Sequence, residues 1–180
     1  MTRKLAILLT VLSAIALHSL AQERGAPSAR EQERIVKAVR HELLMLPYVT
    51  AFDNLAYKVE GRNVTLYGQV VRPVLKSDAE GAVKHIEGVE HVDNQIEVLP
   101  LSPMDDRLRR QLFRAIYGYP ALQKYAIVPQ KPIRIVVKNG HVTLEGVVDS
   151  EADKNFVGIR ANGVSGTFSV DNNLKVVSGK

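Results

Sequence analysis

No cysteine and no tryptophan occur among the 180 residues, and only ten side chains are aromatic, six Tyr and four Phe. Without Cys there is no disulfide framework, no zinc knuckle, no thiol nucleophile and no lipid-bearing residue to follow a signal sequence. Other reactive constellations are scarce as well. His41-Glu42 has Met45 where H-E-x-x-H needs its second His. Gly163-Val164-Ser165-Gly166 lacks the spacing of a nucleophile elbow. His85, Glu87, Glu90 and His91 fall on a helix end and a turn, without the spacing of a metal site. Asn63-Val64-Thr65 fits a glycosylation sequon but belongs to a strand. Gly163 to Gly166 also spells the G-x-x-G of a phosphate-clamping loop, yet it holds no Lys or Arg and leads into a strand. The expectation is therefore no enzyme, no metal, no cofactor and no nucleic-acid partner.

Long apolar runs are equally few. One covers residues 5–17, preceded by Arg3 and Lys4 and followed by Ser19-Leu20-Ala21, the pattern of an export signal cleaved after Ala21. It is shorter than the roughly 20 residues of a membrane-spanning helix; the alternative is an uncleaved anchor. Residues 22–180 then carry a net charge of +3 and begin with a polar leader, residues 22–30, that reads as mobile.

What the chain does have is one stretch used twice. Asn63 to Val70 (NVTLYGQV) and His141 to Val148 (HVTLEGVV) stand 78 residues apart, and the same offset joins Gly88 to Gly166, Val92-Asp93-Asn94 to Val170-Asp171-Asn172, and Ile96 to Leu174. A register held without a gap over that distance marks duplication of one folding unit. Two copies are too few for a solenoid, so two small domains are expected, at residues 31–99 and 100–178.

Periodicity supplies the elements of each unit. In the first, Ile35, Val39, Leu43 and Leu46 make one helical stripe ended by Pro47. Leu55, Tyr57 and Val59, a Gly61-Arg62 turn, then Val64, Leu66, Gly68 and Val70 form a hairpin with one buried face. Gly68 on that face suggests a bulge or close approach by another backbone, here a helix lying across the sheet. A second helix offers Leu75, Ala79 and Val83, and Val92, Asn94, Ile96 and Val98 alternate as a third strand. In the second unit Ser102-Pro103-Met104-Asp105 resembles a capping box. Its first helix turns Leu108, Leu112, Ala115 and Ile116 inward, five extra residues precede the hairpin within residues 122–133, and Asn139-Gly140 makes the turn. Ser150 and Asp153 cap a last helix whose inward face is read as Ala152, Phe156 and Ile159. The fold class is α+β, two tandem α-β-β-α-β units with two helices on a three-stranded sheet, and the uncovered face must meet solvent, the other repeat or a partner.

These features together, the signal, two α-β-β-α-β units, V-T-L-x-G-x-V after the hairpin and G-x-x-x-V-D-N before the last strand, resemble tandem BON domains of bacterial osmotic-shock-inducible periplasmic proteins. The resemblance covers residues 31–177 and rests on Gly68, Gly88, Val92, Asn94, Gly146, Gly166, Val170 and Asn172. It implies a periplasmic address, a role in envelope integrity under stress and contact with phospholipid, with no catalytic residues; many relatives carry an anchoring Cys, which this chain lacks. The glycines and asparagines also have a plain structural reading as answers to backbone demands, Asn94 and Asn172 bonding a turn.

Charge separates the copies. Residues 31–99 hold 8 basic and 11 acidic side chains, net −3, and residues 100–180 hold 12 and 7, net +5. Arg107, Arg110 and Arg114 follow i, i+3, i+7 spacing away from the apolar stripe, and Tyr117, Tyr119 and Tyr125 cluster at the helix end and beyond, with Lys124 and Lys131 nearby. Charge runs are usually solvated faces. The sharper expectation is that these eight residues dock on anionic phospholipid; the rival is a periplasmic protein-binding or chaperone-like module that receives a polypeptide on an open face or edge. Expected partners are anionic lipid or envelope proteins, with weak self-association.

Overall fold

A computed structural model describes residues 28–177. The export signal and residues 22–27 of the leader lie outside the described residues. The first repeat is α1 (Ala29–Met45), β1 (Asn54–Glu60), β2 (Asn63–Val70), α2 (Pro73–Lys84), β3 (His91–Asn94) and β4 (Glu97–Val98). The second is α3 (Pro103–Tyr117), a 3-10 turn (Pro120–Leu122), α4 (Gln123–Ala126), β5 (Ile133–Lys138), β6 (His141–Val148), α5 (Glu151–Asn162), β7 (Ser169–Asn172) and β8 (Lys175–Val176). α1 starts at Ala29, two residues before the expected domain boundary at residue 31, because the Ser28 hydroxyl accepts from Glu31 N and caps it.

The two sheets share one topology and one register. β1 pairs antiparallel with β2, and β2 pairs parallel with β3 and then β4, which are halves of one interrupted strand. Val64 lies opposite Val92 as Val142 lies opposite Val170. The interruption is made by the Asn of Val-Asp-Asn. Asn94 Nδ2 donates to Lys76 O at 2.8 Å while its Oδ1 accepts from Ile96 N, and Asn172 does the same with Lys154 O and Leu174 N. One amide thus ties the second helix of each unit to the kinked strand. Ile96 and Leu174 then turn into the cores.

Gly68 and Gly146 sit at φ +111° and +120°, where a Cβ would meet Asn54 O or Pro132 O at 1.9 Å. The close neighbour is therefore backbone of the partner strand or of the residue just before it and not, as the sequence suggested, a helix crossing the sheet; pairing is residue for residue up to and including both glycines, so they answer a close backbone approach and not a bulge. Asn139 and Gly140, at φ 52° and 80°, make the expected primed turn.

Both helices of each repeat cover the same sheet face. Ile35, Val39 and Leu43 of α1 meet Leu75, Ala79 and Val83 of α2 over Val64, Leu66 and Val70. In the second repeat the inward face of α5 is Asp153, Val157 and Ala161, not Ala152, Phe156 and Ile159, which are exposed. The buried set stands 78 residues after Leu75, Ala79 and Val83, so the repeat register overrides local hydrophobicity. The longer connection that holds the five extra residues folds into the 3-10 turn and α4, which add Leu122 and Tyr125 to the second core.

The repeats are packed together. The loop before β1 turns on Asp53, 1% exposed, whose Oδ2 accepts from Thr50 N and Oγ1 and whose Oδ1 accepts from Val71 N. Its Ala51 enters the core of repeat two, with Ala51 O accepting from Ile135 N at 2.7 Å on the outer edge of β5. Arg134 donates to Thr50 O, Lys138 bonds Glu97, and Phe52 meets Phe113 edge-on at 6.0 Å.

Gly68→Ala and Gly146→Ala are each expected to lower unfolding free energy by about 3 kcal/mol or more. Gly81→Ala in α2, where an added Cβ meets nothing within 4 Å, is expected to raise it by about 0.5–1 kcal/mol. Urea denaturation of the three variants checks both signs.

Candidate functional site

α3 is the helix on which the second repeat diverges. Ser102 Oγ accepts from Asp105 N and Pro103 opens the first turn, as the sequence suggests. The capping box is only half formed, because the Asp105 carboxylate turns to Asn139 N and Gly140 N, both at 2.9 Å, and anchors the hairpin instead. Arg109, absent from the expected site, is buried; it donates to Val137 O at 2.6 Å and pairs with Asp106. The remaining arginines, Arg107, Arg110 and Arg114, are exposed.

The other five expected residues divide differently. Tyr117 is 4% exposed, its hydroxyl donating to Ile133 O at 2.6 Å, and burial pushes its pKa up. Tyr125, 5% exposed, donates to Asp153 Oδ2 at 2.9 Å and accepts from Asp149 N. Lys124 bridges Asp149 and Asp153 at 2.8 Å each, and those bonds raise its pKa. Lys131 donates to Ala126 O and Val128 O, closing the insertion. Tyr119 lies half-buried under the Arg160 guanidinium and beside Phe156. Tyr117 and Tyr125 thus belong to the core, while Lys124 and Lys131 hold the inserted segment in place; these four do not join the arginines on one face.

What does join them is apolar and was missed. Met104, Arg107, Arg110 and Arg114 follow 3, 3, 4 spacing, one stripe along a helix. Met104 is 70% exposed and lines a hollow with Arg107 and Phe168, which is 78% exposed. Farther along, Phe52 and Phe113 form an apolar floor between Arg110 and Arg114. The sequence did carry a signal for Phe168. In the repeat register it occupies the place of Glu90, so an aromatic replaces a charge at a solvated turn. Its ring packs on Gly140, where an added Cβ would come within 2.5 Å of it.

Asp153 shows how the insertion is held. It replaces core Leu75, and burial alone would raise its pKa; hydrogen bonds from Lys124, Ser150 and Tyr125 outweigh that and lower it below 3.8. Among the described residues no group of three or more His, Asp or Glu could hold a metal, and no helix is long and apolar enough to cross a membrane.

The family model of the BON domain matches residues 31–100 and 120–178. The second match begins after α3, so Arg107, Arg110 and Arg114 lie outside it. Among solved structures, the C-terminal domain of CdsD, the structural protein of the type III secretion system of Chlamydia trachomatis, aligns with 14% identity over 79% of this chain and 97% of that one, at a TM-score of 0.29. A second CdsD structure aligns at 14% identity over 80% and 93%, with a TM-score of 0.28. No curated protein matches the chain.

Because a carboxylate with a lowered pKa contributes stability above its unfolded value and loses it as pH falls through the folded one, acidification from pH 7 to 5 should leave the Asp153 contribution intact, and it should be lost progressively below the ordinary Asp value of 3.8. Urea titrations from pH 7 to 2 should show a shallower acid limb for Asp153→Asn than for the parent, and a similar flattening for Lys124→Met.

Proposed function

The chain belongs to the BON-domain family, carrying the domain twice, and from that premise we propose that it is an exported envelope protein whose second repeat docks on anionic phospholipid. The family is non-catalytic and associated with the envelope and its lipids. The finer reading adds a signal cleaved after Ala21, a periplasmic address without lipid attachment, repeat boundaries at 31–99 and 100–178, and service under osmotic stress. The observation that carries the docking reading is the exposed face of α3, where three arginines are interleaved with Met104, Phe168 and the Phe52–Phe113 floor.

Magnitudes favour the mixed surface over charge alone. Three arginines at about 1 kcal/mol each give roughly 3 kcal/mol near an anionic leaflet, short of the roughly 4 kcal/mol of millimolar affinity. Inserting Met104 and Phe168 adds about 1.5–3 kcal/mol each if fully buried, which brings the sum near micromolar affinity before the loss of orientational freedom. Of the eight residues first expected, Arg107, Arg110 and Arg114 carry the surface in this reading, and Tyr119, Lys124, Tyr125, Lys131 and Tyr117 stabilise the domain that presents it.

A polypeptide partner is the second reading, and one feature favours it: among the described residues β1 has β2 as its one strand partner, which leaves an edge that an added strand could pair with. Such binding would resist salt, whereas docking on lipid weakens as salt screens surface charge.

Co-sedimentation of residues 22–180 with anionic and neutral vesicles separates the two. Binding to anionic vesicles only, lost as salt rises, is the expected result. Replacing Arg107, Arg110 and Arg114 together by Gln should reduce it about 100-fold, and Phe168→Ser with Met104→Ser should weaken it without changing its salt slope. Unaltered binding by the triple variant would refute the docking face.

A further inference from the structure

The repeats enclose a cleft of about 720 Å³ that neither forms alone. Leu44, Leu46, Val49 and Leu55 from the first repeat make its apolar wall, and Phe52 and Phe113 stand where the repeats meet. Its charges are unbalanced. Arg40, Lys131 and Arg134 line it against a single carboxylate, Asp53, whose oxygens are already occupied by Thr50 and Val71. Among the described residues none of the three cations is in a salt bridge.

Three cations gathered beside apolar surface with one carboxylate among them are unfavourable unless something supplies the missing charge. Arg134 is the most affected: it is half-buried, and desolvation disfavours its charged form. One of its five N–H donors goes to Thr50 O. Two of the three ammonium donors of Lys131 go to Ala126 O and Val128 O. Donor capacity therefore remains on each of these groups, next to a wall that water solvates poorly.

We propose that this cleft binds a single-chain anionic amphiphile, its head group between Arg40, Lys131 and Arg134 and its alkyl chain along the wall from Leu44 to Leu55. The volume lies within the roughly 300–1,000 Å³ of pockets that enclose small ligands, so one acyl chain suits it better than a diacyl lipid. Phe52 and Phe113 also floor the hollow between Arg110 and Arg114. The cleft and the vesicle-docking face are thus neighbours, distinguished by the arginines each uses.

Calorimetric titration of the protein with decanoate, decyl phosphate and decyltrimethylammonium below their micelle concentrations, and with decanol below its solubility limit, tests the assignment. Saturable one-to-one binding of an anion is expected, with decanol at least about tenfold weaker and the cation weaker still. Preference for decanoate would identify a carboxylate head, and preference for decyl phosphate a phosphate head. Arg40→Gln and Lys131→Gln, which leave the bond from Arg134 to Thr50 in place, should each weaken the anion about fivefold or more, with backbone NMR shifts centred on Leu44, Val49 and Arg134. No saturable anion binding, decanol as tight as decanoate, unchanged affinity in both variants, or shifts confined to Met104–Arg114 and Phe168 would overturn the proposal. Vesicle binding by the Arg107, Arg110 and Arg114 variant decides the docking reading separately.

Discussion

The carboxylate of Asp53 keeps its charge almost entirely out of water by accepting from Thr50 N, Thr50 Oγ1 and Val71 N. A carboxylate buried without such donors would cost several kcal/mol; with them it becomes a rigid corner. The corner fixes the loop that carries Ala51 into the second core and offers Thr50 O to Arg134. The relative placement of the repeats follows from it, and with that placement the cleft between them and the Phe52–Phe113 contact beside the α3 arginines. A small constraint in the first repeat thus shapes surfaces that the second repeat presents.

Duplication left two copies of the same backbone solution and let their side chains diverge. The positive-φ strand glycines, the bridging asparagines and the strand register are the same in both. What changed is concentrated at one end of the helical layer. Leu75 of the first copy corresponds to Asp153 of the second, and the inserted segment supplies Lys124 and Tyr125 to satisfy it. An apolar contact was exchanged for a polar cluster that holds extra chain against the domain. The lead helix changed as well, from the mixed charge of α1 to the arginine stripe of α3.

Most of the scaffold was legible in the sequence because its signals are backbone demands repeated at a fixed offset. Asn94 and Asn172 and the Asn139-Gly140 turn each point to one conformation, and Gly68 and Gly146 point to a close backbone approach without saying which backbone it is. The face of α5 was harder to read. Ala152, Phe156 and Ile159 and the buried Asp153, Val157 and Ala161 both have helical spacing, and hydrophobicity favours the wrong set; only the offset to Leu75, Ala79 and Val83 selects the right one. The surface was read less well for a related reason. Tyr117 and Tyr125 look amphipathic in sequence, yet each hydroxyl has a partner in the core, Ile133 or Asp153. Arg109 is hidden in the same way by Val137 O. Whether a polar side chain faces inward depends on a partner far away in the chain, and periodicity carries no information about that partner.

The bond from Ile135 N to Ala51 O has a further consequence. β5 is an outer strand, and an outer strand with free N–H groups is a template for pairing with other chains. In this molecule part of that edge is closed by a loop belonging to the neighbouring copy. Although the repeats arose as equivalent units, the second has come to rely on the first as its edge guard. Separating them would uncover adhesive backbone as well as apolar surface, so the pair behaves as one solubility unit, and a gene fragment encoding only the later copy would inherit its fold without its protection.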